Sequence, residues 1–256
     1  MRGIAGVCIA AFLYAAFGPP AAAREPTSQA LPADFVYLRD VDAGIAQDMR
    51  YASDDNFTGA ALPGYAAGEC VLRREVAQAL ARVEADLAPR GLGLKVYDCY
   101  RPTRAVAAME HWASDTGDTS TRRFYPQLDK RRLFTLGYIA AHSAHSTGIA
   151  VDLTLIERGA PPAGRFDRAA HYGPCTGLAS ERAPDNSLDM GSGFDCFDPK
   201  SFTRAATITP EQARWRAVLL AAMRERGFHN YVREWWHFTY GPRPPRSYDF
   251  PIEPRY

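Results

Sequence analysis

Apolar residues recur at helical spacing in three stretches of the chain and alternate or run together in four others. Leu72, Val76, Leu80, Val83 and Leu87 share one helical face, with Arg and Glu opposite. They predict a helix over 72–88 that ends at Pro89 and Gly91. Pro102 in a first turn opens a second helix running to Ser114. The third has the fullest signals. Thr209 is the cap, Pro210 the first helical residue and Gln212 completes a capping box. Trp215, Val218, Leu219 and Met223 form its apolar face, and Gly227 ends it. Strands are predicted over 35–38, 93–100 and 149–156, and the aromatic run from Phe228 to Tyr240 is β-prone. Helices and strands follow one another without βαβ repetition or a glycine-rich phosphate loop. The expected class is α+β, an antiparallel sheet packed against helices.

Between these elements the pattern lapses. Residues 42–66 are rich in Asp, Asn, Gly and Tyr and read as loops able to line a site. Residues 115–135, with Lys130, Arg131 and Arg132, read as a solvated stretch. Residues 157–208 carry many Gly, Pro and Asp with little periodicity, a length that points to a functional insertion.

The first residues alter the reading of the compartment. Arg2, an apolar run over 3–17 and Ala21-Ala22-Ala23 before Arg24 have the three parts of a secretory signal peptide, with cleavage expected after Ala23. The run is shorter than the ~20 residues of a membrane span. One catalytic domain over 24–256, exported to the periplasm and without a membrane span, is the expected product. Four cysteines remain, an even number that suggests disulfides in an exported chain. Of three possible pairings, Cys70–Cys99 and Cys175–Cys196 are preferred, because each brackets a local unit; free buried thiols are the alternative. A formal net charge of +1 gives no broad footprint for nucleic acid or an anionic membrane, so the chemistry must be local.

Three local constellations stand out. Ser143-Ala144-His145-Ser146-Thr147-Gly148 leads into a strand where Asp152 lies between Val151 and Leu153. A carboxylate buried there needs a cation, either a metal or an arginine. Glu234-Trp235-Trp236-His237 sets an acid and a histidine three apart, which in a flat strand face opposite ways; a common site requires the backbone to bend. In Tyr97-Asp98-Cys99-Tyr100-Arg101-Pro102, Arg101 falls where strand gives way to helix, a place to present a guanidinium.

Together, Ser-x-His-x-x-Gly-x-Ala-x-Asp, the downstream Glu-x-x-His and the upstream Tyr-Arg-Pro resemble the D-alanyl-D-alanine dipeptidases. These are zinc D,D-peptidases whose fold is shared with the Hedgehog signalling domain. The resemblance runs from about Val41 to Tyr240, with Arg50-Tyr51-Ala52, Asn56-Phe57-Thr58-Gly59, Asp189-Met190-Gly191 and Phe194-Asp195 as further pieces. It implies one Zn²⁺ held by His145, Asp152 and His237, with Glu234 as general base and Arg101 steadying the oxyanion. It also implies that Asp195 holds the substrate ammonium and that Ser143 contacts substrate. The implied reaction is hydrolysis of the free dipeptide D-alanyl-D-alanine, in turnover or scavenging of wall fragments. A D,D-carboxypeptidase acting on peptidoglycan stems and a non-catalytic zinc module are the competing readings.

Overall fold

The computed structural model describes Met1 and residues 31–255, except 141, 243 and 245. The expected signal peptide lies outside the described residues.

The architecture is α+β. Strand β1 (Phe35–Tyr37) pairs with β3 (Val71–Arg73) in a small antiparallel ribbon. The main sheet has five strands, β2 (Ala46–Gln47), β4 (Leu92–Asp98), β5 (Ala150–Glu157), β6 (Phe228–Asn230) and β7 (His237–Tyr240), in the order β2-β4-β5-β7-β6. All its pairings are antiparallel except β2 with β4, which is parallel. The sheet is therefore mixed rather than wholly antiparallel. Two residues with no periodicity to betray them make the parallel edge. Helices α1 (Arg74–Leu87) and α3 (Pro210–Glu225) pack on one another and on the sheet, and α2 (Thr103–Ser114) follows β4.

Helices α1 and α2 start later than the apolar pattern implies. Leu72 belongs to β3, where it pairs with Val36, and α1 begins at Arg74. Pro102 occupies the cap position of α2. The capping box of α3 forms as expected: Thr209 Oγ1 accepts from the Gln212 amide at 3.2 Å and Gln212 Oε1 accepts from the Thr209 amide at 2.9 Å. Val151, Leu153 and Leu155 point to one face of β5, Asp152 and Thr154 to the other, and all five are buried. Each such aliphatic side chain contributes roughly 1.5–3 kcal/mol through burial.

The stretch 115–135 is not a solvated loop. Phe124, Tyr125 and Leu133 enter the core, and Lys130 is buried. The Lys130 ammonium donates to the Asp118 carbonyl at 2.8 Å and lies 4.9 Å from the centre of the Trp112 ring, so its charge is balanced by a carbonyl and a π face.

Two disulfides, Cys70–Cys99 and Cys175–Cys196, join the preferred pairs. The second ties the long segment between β5 and α3 to itself. A set of ion pairs ties that segment to the sheet: Asp185 accepts from Lys95 Nζ at 2.5 Å, Tyr97 Oη at 2.7 Å and Arg50 Nη2 at 3.2 Å. Arg50 also pairs with Asp48 and Asp55, and Asp55 with Arg123.

Candidate active site

The sheet register builds the site. Asp98 of β4, Asp152 of β5 and His237 of β7 are direct cross-strand partners, so three adjacent strands carry them on one rung. Partners directly opposite share a face. The pairing of β4 shifts between Val96 and Asp98, and this irregularity brings Asp98 onto the rung.

His145 comes from the turn that precedes β5. Residues His145–Thr147 form a single 3₁₀ turn closed by Gly148 at φ 79°. A Cβ at Gly148 would stand 2.2 Å from the Phe35 ring, so both the left-handed backbone and the close approach require glycine. The His145 ring is then oriented by its neighbours. Its Nδ1 lies 2.7 Å from the Cys99 carbonyl oxygen, which can only accept, so Nδ1 carries the proton and Nε2 presents a lone pair. Nδ1 also lies 3.2 Å from Asp98 Oδ2.

Three ligating atoms converge. His145 Nε2 is 3.1 Å from His237 Nδ1 and 3.3 Å from Asp152 Oδ1, and His237 Nδ1 is 3.0 Å from Asp152 Oδ1. A tetrahedron with metal–ligand bonds of ~2.1 Å has edges of about 3.4 Å, so the triangle and its donors fit a small divalent ion such as zinc. Among the described residues this trio is the group of His, Cys, Asp and Glu able to hold a metal ion.

Glu234 reaches the same place because the chain does bend. Between β6 and β7 residues 231–236 form turns, with the Glu234 amide donating to the Tyr231 carbonyl at 2.9 Å and the His237 amide to the Glu234 carbonyl at 3.3 Å. Glu234 Oε2 thereby lies 3.9 Å from His237 Nδ1. Arg101 Nε and Nη2 both engage Asp98 Oδ2, at 3.0 and 2.9 Å, and Nη2 lies 3.7 Å from Asp152 Oδ2. The Tyr51 ring sits 4.9 Å from the guanidinium carbon.

His145, Asp152, His237, Glu234, Arg101 and Tyr51 face one cleft, with Met109, Phe57, Phe197 and Trp236 among its apolar walls, while Asp98 lies behind it. Asp195 lines it too, accepting from the Tyr51 hydroxyl at 2.8 Å. It is the one non-glycine with positive φ among the described residues, at 55°. Such a backbone costs of order 1 kcal/mol or more and persists where the surroundings demand it. Ser143 also faces the cleft, with its Oγ accepting from the His145 amide at 3.2 Å.

The comparisons with known proteins point the same way. The family model for the M15 peptidases, described as D-ala-D-ala dipeptidase, matches residues 32–162 and 177–252. A D-alanyl-D-alanine dipeptidase of Enterococcus faecium is 36% identical over 222 residues, covering 86% of this chain and 98% of its own. One from Streptomyces coelicolor is 35% identical with the same coverage, and one from Enterococcus faecalis is 33% identical over 85% and 98%. The chain belongs to the D-ala-D-ala dipeptidase family. A solved vancomycin-resistance D,D-dipeptidase bound to a D-Ala-D-Ala phosphinate analogue matches at 19% identity and TM-score 0.31, over 67% of this chain and 51% of that one.

The family cleft is electrostatically strained. Burial, then the charges of Asp152 and Asp195, push Glu234 well above the usual carboxylate range, against Arg101. Burial and Asp152 do the same to Asp195. Burial would also raise Asp152, but the two imidazoles outweigh it and hold its carboxyl below the ordinary range. Burial lowers His237, which keeps its imidazole neutral and ready to donate a lone pair.

Every side chain singled out from sequence therefore meets in one cleft. Two participants were missed. Tyr51, the partner of Asp195, lay in a supporting motif without a role. Asp98, an acid at the end of a buried strand, bore the same signal that drew attention to Asp152.

Proposed function

We propose that this chain is a zinc-dependent dipeptidase that hydrolyses free D-alanyl-D-alanine to two D-alanines. The observation that carries the reading is the convergence of His145, Asp152 and His237 within 3.0–3.3 Å, beside Glu234 and Arg101 in one cleft. A purely structural metal site would have no use for the last two.

His145 Nε2, Asp152 and His237 Nδ1 hold the ion. The chemistry that zinc supplies when bound is acidification of water toward pKa ~7 and polarisation of a carbonyl. Glu234 accepts the proton of the attacking water and passes it to the departing amine. Arg101, fixed by Asp98, stabilises negative charge on the oxygen of the former amide. Asp195, steadied by Tyr51, pairs with the ammonium of the free dipeptide, and Ser143 contacts substrate. A charge buried without a partner is costly, so a peptide lacking that ammonium is rejected.

The domain reading is one catalytic unit over 24–256 with an insertion around 157–188, and residues 163–176, between the two segments of the family match, support it. Export to the periplasm is supported by the two disulfides and by the leader composition of residues 1–23. No helix of the described residues is long and apolar enough to cross a membrane.

The test is hydrolysis of D-Ala-D-Ala with and without zinc, with the N-acetylated dipeptide and a stem pentapeptide alongside. Zinc-dependent cleavage of the free dipeptide alone is expected. Equal rates on the acetylated form would remove Asp195 from substrate recognition. Cleavage of the pentapeptide instead would make the protein a wall-trimming carboxypeptidase.

A further inference from the structure

Asp98 meets no reacting atom in the scheme above, yet it contacts both Arg101 and His145. It is fully buried at the end of β4, on the rung it shares with Asp152 and His237. Oδ2 accepts from Arg101 Nε at 3.0 Å, lies 2.9 Å from Arg101 Nη2 and lies 3.2 Å from His145 Nδ1. Oδ1 accepts from the Tyr65 hydroxyl at 2.6 Å. Tyr65 is itself buried and bridges to Ile252 near the C-terminal end.

From this geometry we infer that Asp98 is a positioning residue that aligns two catalytic elements at once, the guanidinium of Arg101 and the imidazole of His145. The inference rests on the proposed roles of those two residues. Arg101 could otherwise swing: its remaining contacts are Nη1 to Met109 Sδ at 3.7 Å, Nη2 to Asp152 at 3.7 Å and the Tyr51 ring. Two nitrogens on one carboxylate oxygen fix the plane of the guanidinium. His145 has a second anchor in the Cys99 carbonyl, so its dependence on Asp98 is smaller. Tyr65 fixes the other oxygen of Asp98 and passes the position of the 53–70 loop into the site.

The test is Asp98→Asn, which keeps size and loses charge. At saturating zinc its kcat on D-Ala-D-Ala is expected to fall about 100-fold, the order of loss when a catalytic group is misplaced by an ångström. Zinc affinity, read by competition with a chromogenic chelator, is expected to fall about tenfold, the low end for outer-sphere partners, because the Cys99 carbonyl remains. A purely structural role is separated by a double-mutant cycle. In an Arg101→Ala background at saturating zinc, Asp98→Asn should cost kcat little more, since its route through Arg101 is gone and its hold on His145 is read in the zinc affinity.

Additive losses in the cycle, or a folded Asp98→Asn protein with kcat and zinc affinity both within twofold of wild type, overturn the inference. If Asp98→Asn does not fold, Tyr65→Phe replaces it. That variant removes one donor to Oδ1, and it should lower kcat severalfold in the wild-type background and leave Arg101→Ala unaffected; equal losses in both backgrounds overturn the inference. Wild-type protein that binds zinc but leaves D-Ala-D-Ala intact would refute the functional reading, while the chelator competition would still decide the His145 arm.

Discussion

Two charge clusters lie on the sheet, one half-buried and one buried, and they are balanced differently. In the first, Asp48, Asp55 and Asp185 meet Arg50, Lys95 and Arg123, one cation for each carboxylate. In the second, Asp98, Asp152, Asp195 and Glu234 surround a single guanidinium, Arg101. Lys95 pairs with Thr154, only two residues along β5 from Asp152, so the clusters are neighbours with a common scaffold. The balanced one holds the long 157–208 segment to the sheet and needs nothing further. Ionised, the other is short of three positive charges. A divalent ion would supply two of them and the ammonium end of a dipeptide, beside Asp195, the third, with the dipeptide's carboxylate end lying away from this cluster. Excess charge thus separates a site from a strut more clearly than burial does, since Arg50, Asp55 and Lys95 of the balanced cluster are buried too.

Several measurements would break or sharpen that contrast. Glu234→Gln should abolish turnover, by about 10³-fold or more, while one zinc per chain remains by metal analysis. It should also leave the metal-free fold as stable as before or more so, because a carboxylate without a cation is removed; a clear loss of melting temperature would count against the imbalance. Asp185→Asn should do the reverse. Stripping a buried carboxylate from Lys95 and Arg50 should cost about 3 kcal/mol in denaturant unfolding, with turnover per folded molecule unchanged. Asp195→Asn should be intermediate, raising KM for the free dipeptide roughly 10–100-fold, the worth of a charged hydrogen bond, and narrowing the preference over the acetylated form.

The smallest effect is one of sign. Glu234 and Asp195 have raised carboxyls, so they bind protons more tightly folded than unfolded. Metal-free protein should therefore gain stability as pH falls from neutral toward the ordinary carboxylate range. Asp185 is depressed, with burial outweighed by Arg50 and Lys95. Its contribution is present above the ordinary aspartate range and is lost as pH falls through the folded value. Melts of the metal-free wild type, Asp195→Asn and Asp185→Asn across pH would show whether the two slopes oppose.

The site was more legible in the sequence than the sheet that carries it. An acid amid aliphatic residues exposed Asp152, because such a carboxylate has few stable states. A capping box and a terminal glycine delimited α3, because both signals are local. What escaped depends on distant parts of the chain. The parallel β2–β4 edge is two residues long and has no pattern of its own. Lys130 is buried because Trp112 and the Asp118 carbonyl receive its ammonium, which spacing along 115–135 does not reveal. Glu234 and His237 are three apart, and their common site needed a turn that only the pairing of β6 with β7 creates. Asp98 was overlooked because its importance lies in which strand it faces.

The Cys70–Cys99 bridge carries a consequence for how the molecule comes of age. Its second sulfur belongs to the residue whose carbonyl orients His145 and whose neighbour, Asp98, holds Arg101. The chain is thus soldered at the root of its own reactive centre. Without that bond, the carbonyl and carboxylate would be held by the pairing of β4, the Tyr100–Val71 backbone bond and the Tyr65 and Arg101 contacts alone. A chain kept in a reducing compartment would lack this tie, and one that reaches an oxidising compartment would gain it.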